Sequence, residues 1–178
     1  MRFLLLLGTL LLGACSGASN SPPLTSFGAV DLQRYQGTWY EQARKPMYFQ
    51  RHCLASEANY QLDDSGVVAV RNRCVTDDGT WQEVQGTAQQ QSERTDQLWV
   101  RFDNWFSNLF PKLTRSHYWV LYLDDDYSQV LVGEPTRKYL WLMSREQNLP
   151  EPARAALLKR AQTLGYDVSD LIWRDAKH

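Results

Sequence analysis

The chain has 178 residues and a formal net charge of -1, a length that suits one domain with a substantial core rather than two. A balance so close to neutral offers no basic face for a nucleic-acid partner, and none is expected. Aromatic residues make up 12% of the chain, with 7 Trp among them, which favours a β-rich fold or an aromatic-lined pocket, with most of these rings in the core.

Met1-Arg2 is a short positive start, and Phe3 to Leu12 is an apolar run. The run is too short to span a bilayer and suits the core of a signal peptide. It ends in Leu12-Gly13-Ala14-Cys15, which resembles the lipobox of bacterial lipoproteins. That resemblance implies removal of residues 1–14, a diacylglycerol on the Cys15 thiol and acylation of its amine. Several acyl chains hold a protein firmly on a membrane. Ser16, rather than Asp, follows the cysteine, which by the same resemblance favours the outer membrane, with the protein facing the periplasm. Ser16 to Ser26 is rich in Ser, Gly, Asn and Pro and reads as a flexible tether. The lipidated N-terminus and tether are therefore expected over 15–29 and the folded domain over 30–178.

The mature chain alternates short apolar-aromatic stretches with turn chemistry. Strands are expected at Thr38–Lys45, Leu54–Leu62, Val67–Val75, Thr80–Gln90, Gln97–Asp103, His117–Leu123, Gln129–Gly133 and Lys138–Ser144. Between them lie Asp-Asp-Ser-Gly, Asp-Asp-Gly, Glu-Arg-Thr-Asp, Asp-Asp-Asp-Tyr and Gly-Glu-Pro, where Asp and Gly serve the turns. A helix opens at Leu149-Pro150, carries Ala153, Leu157, Ala161 and Leu164 at helical spacing, and ends at Gly165. A short last strand is expected at Leu171–Trp173. Strands followed by one amphipathic helix point to a closed sheet with the helix on its outer wall.

With Cys15 acylated, Cys53 and Cys74 remain, in an oxidising compartment where a pair is expected to join. They are equidistant in sequence from Asp63-Asp64, so a hairpin centred there sets them roughly opposite each other. A bulge at Gly66 would shift that register, and two free buried thiols are the alternative.

Three places carry a family resemblance. Gly37-Thr38-Trp39-Tyr40 resembles the Gly-X-Trp motif that opens the first strand of lipocalins. Asp124 to Tyr127 is similar to their second motif, although its usual Thr is absent. Tyr139-Leu140-Trp141-Leu142-Met143-Ser144-Arg145 resembles the third, and Leu164-Gly165-Tyr166-Asp167-Val168 resembles the close of the bacterial lipoprotein lipocalins, which are apolipoprotein D-like. The resemblance covers about Val30 to Trp173. It implies an all-β fold: an eight-stranded up-and-down antiparallel β-barrel with one C-terminal α-helix packed outside and a short final strand. Because loops alternate between the ends of such a barrel, Gly37, Trp39, Asp124–Tyr127 and Arg145 converge on one end, the base. There the arginine is implied to lie over the tryptophan ring as a structural lid.

The loops after the first, third, fifth and seventh strands share the other end. They bring Met47, Tyr48, Phe49, Trp105, Phe106, Leu109 and Phe110 to one rim, which reads as a hydrophobic mouth. Anchoring on Trp39 and Arg145 turns Tyr139, Trp141 and Met143 inward. The resemblance adds Ala58, Tyr60, Val68, Val70, Asn72, Leu98, Val100 and Phe102, with Tyr118, Val120 and Tyr122 less determined because both faces of their strand are apolar. Such a set lines a mostly apolar pocket with a few polar anchors, and the resemblance implies a fatty acid or lysophospholipid with its polar head near the mouth. The scattered His52, His117 and His178, the absence of a nucleophile elbow and the lack of a phosphate loop leave no catalytic residue, metal or cofactor expected. Glu41 shares the face of Trp39 and needs an Arg or Tyr partner if it lies inside. A homodimer, an envelope interaction module docking through Trp105–Pro111, and an enzyme acting on a lipid or an oxidised small molecule stay open as alternatives.

Overall fold

The computed structural model describes residues 22–103, 115–175 and 177. Cys15, the signal region and Trp105, Phe106, Leu109 and Phe110 lie outside these residues. Eight strands run β1 (Gly37–Arg44), β2 (Cys53–Leu62), β3 (Val68–Thr76), β4 (Trp81–Gln91), β5 (Arg94–Phe102), β6 (Ser116–Leu123), β7 (Gln129–Gly133) and β8 (Leu140–Ser144). Each pairs antiparallel with the next, and β1 bonds both β2 and β8, which closes the barrel. A short α1 (Leu32–Tyr35) precedes β1; α2 (Glu151–Thr163) and β9 (Ile172–Trp173) follow β8. β9 bonds the far half of β1 outside the barrel, at Ala43 and Arg44, where β1 has left β2.

Two strand starts differ from the sequence pattern by more than one residue, each for a local reason. β5 starts at Arg94 instead of Gln97, because the register pairs Gln91 with Arg94 and leaves only Ser92 and Glu93 for the turn. Ser92 takes a positive φ of 57° there, as a two-residue hairpin requires. β8 starts at Leu140 instead of Lys138, because the Glu134 carboxylate accepts from the Lys138 and Tyr139 amides at 2.6 and 3.2 Å and keeps them in the turn.

Alternation divides the apolar residues into two cores. The interior one holds Trp39, Tyr60, Val70, Leu98, Val120, Val130 and Met143. The exterior one holds Leu121, Leu131, Leu140 and Leu142 under Leu157 and Ala161 of α2. Burying each of these side chains stabilises the fold by about 1.5–3 kcal/mol. Pro and Glu151 sit in the first turn of α2 and Arg160 in the last, and Gly165 ends the helix at φ +84°, with Tyr166 N–H donating to Ala161 O at 3.1 Å. Gly133 has no room for a Cβ because the Tyr166 hydroxyl occupies that place.

Pro22 to Asp31 runs along the barrel wall from one end to the other. Arg137 Nη2, in the turn after β7, donates to Pro22 O at 2.7 Å; Phe27 N–H donates to Val120 O at 2.8 Å. Gly28 N–H reaches Asp96 Oδ2 at 2.7 Å, and Asp31 N–H reaches the Tyr127 hydroxyl at 3.0 Å. Leu24 and Ser26 are buried. The part of the expected tether after Pro22 is thus seated rather than free: Ser26 and Gly28 give polar partners to a cluster around Asp96, which no solvent reaches.

Candidate ligand-binding site

The base of the barrel is closed by α1 and a single cation. Gly37 at φ +89° turns the chain from α1 into β1, and its missing side chain leaves Arg145 Nη1 close against the backbone. Arg145 Nη1 donates to Thr38 O at 2.8 Å, and Nη2 to the carbonyls of Arg34, Tyr35 and Gln36 at 3.1, 3.1 and 2.7 Å. The guanidinium covers the ring of Trp39, and Trp39 Nε1 donates to Tyr35 O at 2.9 Å. Asp124 organises the neighbouring turn by accepting from Ser128 and Gln129 amides at 2.7 and 2.9 Å, and Arg145 N–H donates to Ser128 O at 2.8 Å. The three sequence motifs meet here.

Above this floor the barrel encloses a cavity of about 700 Å³, within the 300–1,000 Å³ usual for small-molecule sites. Ala58, Tyr60, Val70, Asn72, Val100, Phe102, Tyr118, Tyr139, Trp141 and Met143 line it, as the inward pattern proposed. Val68, Leu98 and Val120 do face inward, but they belong to the packed layer beneath and do not line the cavity. Tyr122 points outward: a bulge between Val120 and Tyr122 turns it onto the exterior core, where Arg160 stacks on its ring at 3.9 Å, and Leu123 takes the inward place.

The wall also carries charge. Glu41 is buried and bonded through Oε1 to Arg44 Nη1 at 2.8 Å and through Oε2 to Gln50 Nε2 at 3.0 Å. Arg44 Nη2 in turn donates to the carbonyls of Gln50 and Cys53 at 2.8 and 2.9 Å. Gln50 Oε1 accepts from Trp141 Nε1 at 3.1 Å. Toward the floor the hydroxyls of Tyr35, Tyr118 and Tyr60 form a chain with steps of 2.8 and 3.0 Å. Burial pushes Tyr35 and Tyr118 well above the ordinary phenol pKa and Tyr60 up to about 12, so all three stay neutral.

At the mouth Tyr48 and Phe49 are 80% and 63% exposed, as a hydrophobic rim requires. Met47 departs from that expectation: it is buried and anchors the short 3-10 turn Tyr48–Gln50 to the barrel. Phe49 leans edge-on against Tyr139, with ring centroids 5.9 Å apart, over the cavity opening. Cys53 and Cys74 form a disulfide at the start of β2 and the end of β3, and both line the mouth side of the cavity.

A closed antiparallel barrel of this kind is found in known proteins. Residues 30–176 match the model of the Lipocalin-like domain. The chain belongs to the lipocalin family. It is 34% identical over 165 residues to the outer membrane lipoprotein Blc of Escherichia coli, covering 92% of this chain and 89% of that one. It is 32% identical over 149 residues to temperature-induced lipocalin-1 of Arabidopsis thaliana, covering 80% and 77%. Among solved structures, insecticyanin from the tobacco hornworm Manduca sexta superposes with a TM-score of 0.67 at 18% identity, covering 86% of this chain and 85% of that one.

Within this lipocalin the pattern overlooked Gln50, Ser56, Val84 and Glu134, all of which line the cavity. Ser56 and Val84 sit at inward register positions, opposite Cys74 and Asn72. The polar surroundings of Val84 in β4 hid the alternation there. Gln50 reaches the cavity from the loop after β1, where Arg44 holds its carbonyl and no periodicity announces it.

Proposed function

We propose that this lipocalin is a lipid carrier of the bacterial envelope, anchored through acylated Cys15 in the outer membrane, facing the periplasm, and holding a fatty acid or lysophospholipid without changing it. The observation that carries the reading is the one-ended cavity of about 700 Å³, walled by Val70, Val100, Phe102, Trp141 and Met143 and opening beneath Phe49. Its apolar wall matches an acyl chain, and its open end leaves room for a polar head. The name of the Escherichia coli relative, an outer membrane lipoprotein, supports the location.

The seated N-terminal segment supports a further part of this reading. Pro22 is held by Arg137 at the same end as Phe49. The chain between Cys15 and Pro22 extends at most ~25 Å. An anchor there holds the open end of the barrel toward the membrane that supplies the lipid.

The test is native mass spectrometry of the soluble form starting at Ser16, purified from its own host. A co-purified acyl lipid near one per barrel is expected, with Ala58→Trp, which fills the cavity, losing it. An empty protein that also fails to take up added fatty acids and lysophospholipids would overturn the proposal.

A further inference from the structure

The tyrosine chain at the cavity floor has a proton count that does not close. Tyr118 donates its single hydroxyl hydrogen to the Tyr60 oxygen at 3.0 Å. In the 2.8 Å contact between Tyr35 and Tyr118 the donor must therefore be Tyr35, because Tyr118 has no second hydrogen. Three hydroxyls so arranged leave one hydrogen over, that of Tyr60. It has no acceptor among the described residues, although Tyr60 is only 5% exposed and lines the cavity. Asn72 lines the same cavity, and its Oδ1 is buried without a partner. The register pairs Tyr60 with Val70 and Ala58 with Asn72, so Tyr60 and Asn72 are diagonal neighbours on the inner face of β2 and β3. Diagonal neighbours stand roughly 7 Å apart at the backbone, and both side chains line the one cavity, Asn72 one inward place nearer the mouth. An unpaired donor and an unpaired acceptor in a buried place each cost stability until something supplies their partners.

Hydrogen-bonding capacity narrows the group. On the wall Glu41 is paired with Arg44, which is also committed to two backbone carbonyls. Arg145 lies on the other side of Trp39 with its donors on carbonyls of the base. A carboxylate at the floor could accept from Tyr60 but could not donate to Asn72 Oδ1. A neutral hydroxyl fits both demands, accepting from Tyr60 and donating to Asn72.

We propose that the floor of the cavity is a hydroxyl subsite formed by Tyr60 and Asn72, which selects acyl chains hydroxylated at the end that enters first. This rests on the carrier reading above and refines it: the head stays at the mouth, and the chain tip carries a second oxygen.

The experiment compares hexadecanoic acid with 16-hydroxyhexadecanoic acid as titrants of the soluble protein, by calorimetry or tryptophan quenching. Two added hydrogen bonds predict that the hydroxylated acid binds about tenfold more tightly. Tyr60→Phe brings the ratio of the two Kd values close to one. Asn72→Ala, which leaves the tyrosine chain intact, reduces the ratio and stands in if Tyr60→Phe does not fold. Equal binding of the two acids by the unaltered protein, or preference for the plain acid, would overturn the subsite while leaving the carrier reading in place. Binding of neither acid would overturn the subsite and the fatty-acid part of the carrier reading, and failure of an added lysophospholipid as well would overturn that reading whole.

Discussion

The Arg145 guanidinium carbon lies 3.9 Å from the centroid of the Trp39 ring, while its Nη atoms close the base on four backbone carbonyls. One side chain thereby joins α1, β1 and the end of β8. Trp39 is fully buried, so the cation and the ring shield each other from water. Arg145→Ala is expected to cost about 3 kcal/mol, from the stacking and the charged hydrogen bonds together. Arg145→Lys should recover less than half of that, because an ammonium cannot serve several carbonyls in one plane and stack at once. Urea unfolding followed by tryptophan fluorescence measures both; equal stability of the Lys variant and the unaltered protein would refute the planar-fork argument.

The disulfide joins β2 to β3 at the mouth, across a sequence separation of 21. In the chain-entropy account a crosslink of this span contributes about 3 kcal/mol, chiefly by restricting the unfolded chain. Cys53→Ser with Cys74→Ser should lower the melting temperature while the base, at the other end of both strands, keeps its Trp39 environment. A melting curve identical to that of the oxidised protein would show that the bridge adds nothing to stability.

The sequence made the barrel legible because its strands alternate and its turns carry Asp and Gly, two signals that need no knowledge of tertiary structure. Leu98, Val100 and Phe102 alternate onto one face of β5, and the lipocalin resemblance turned that face inward. What alternation could not supply was depth. Val68, Val70 and Asn72 occupy successive inward places of β3, yet Val68 is packed in the base and the other two line the cavity; only barrel closure sets that boundary. The bulge that expels Tyr122 is equally silent, since β6 is apolar on both faces and either register satisfies the pattern. Met47 was misplaced on the rim because a loop residue's burial depends on how the loop folds back, as Gln50 and Arg44 make it do.

Acid should loosen the N-terminal segment before it unfolds the barrel. Burial raises the Asp96 pKa, but hydrogen bonds from Arg94, Ser26 and the Gly28 amide and the Arg94 charge outweigh it and leave the carboxyl below the ordinary aspartate value. A carboxylate with a folded pKa below its unfolded one stabilises fully above the unfolded value, about 4. That contribution is lost as pH falls from there through the folded pKa. Hydrogen exchange is therefore expected to show protection of the Gly28 amide at neutral pH and its loss in that acidic window. Asp96→Asn should remove the pH dependence and lower protection throughout. A Gly28 protection factor that does not change on acidification would rule out Asp96 as the latch.

With the proposed anchor, the seating of that segment implies an orientation. Pro22 leaves the barrel beside the β7–β8 turn, where Arg137 holds it, and Tyr48 and Phe49 stand at the same end with most of their surface exposed. The anchor proposed at Cys15, a few residues earlier, would bring those rings to the lipid surface, whereas Asp126, in the turn after β6, faces away at the base. The expected outcome, for the lipidated protein in vesicles containing brominated acyl chains, is quenching of a fluorophore placed at Tyr48→Cys and none at Asp126→Cys. Arg137→Ala should shrink the difference by releasing Pro22, and a flexible insertion between Ser16 and Pro22 should shrink it further. Equal quenching at the two ends in the otherwise unaltered protein would mean that the seated segment does not orient the barrel. Quenching only at the base would place the mouth away from the membrane, and the cavity would then take its lipid from the aqueous side.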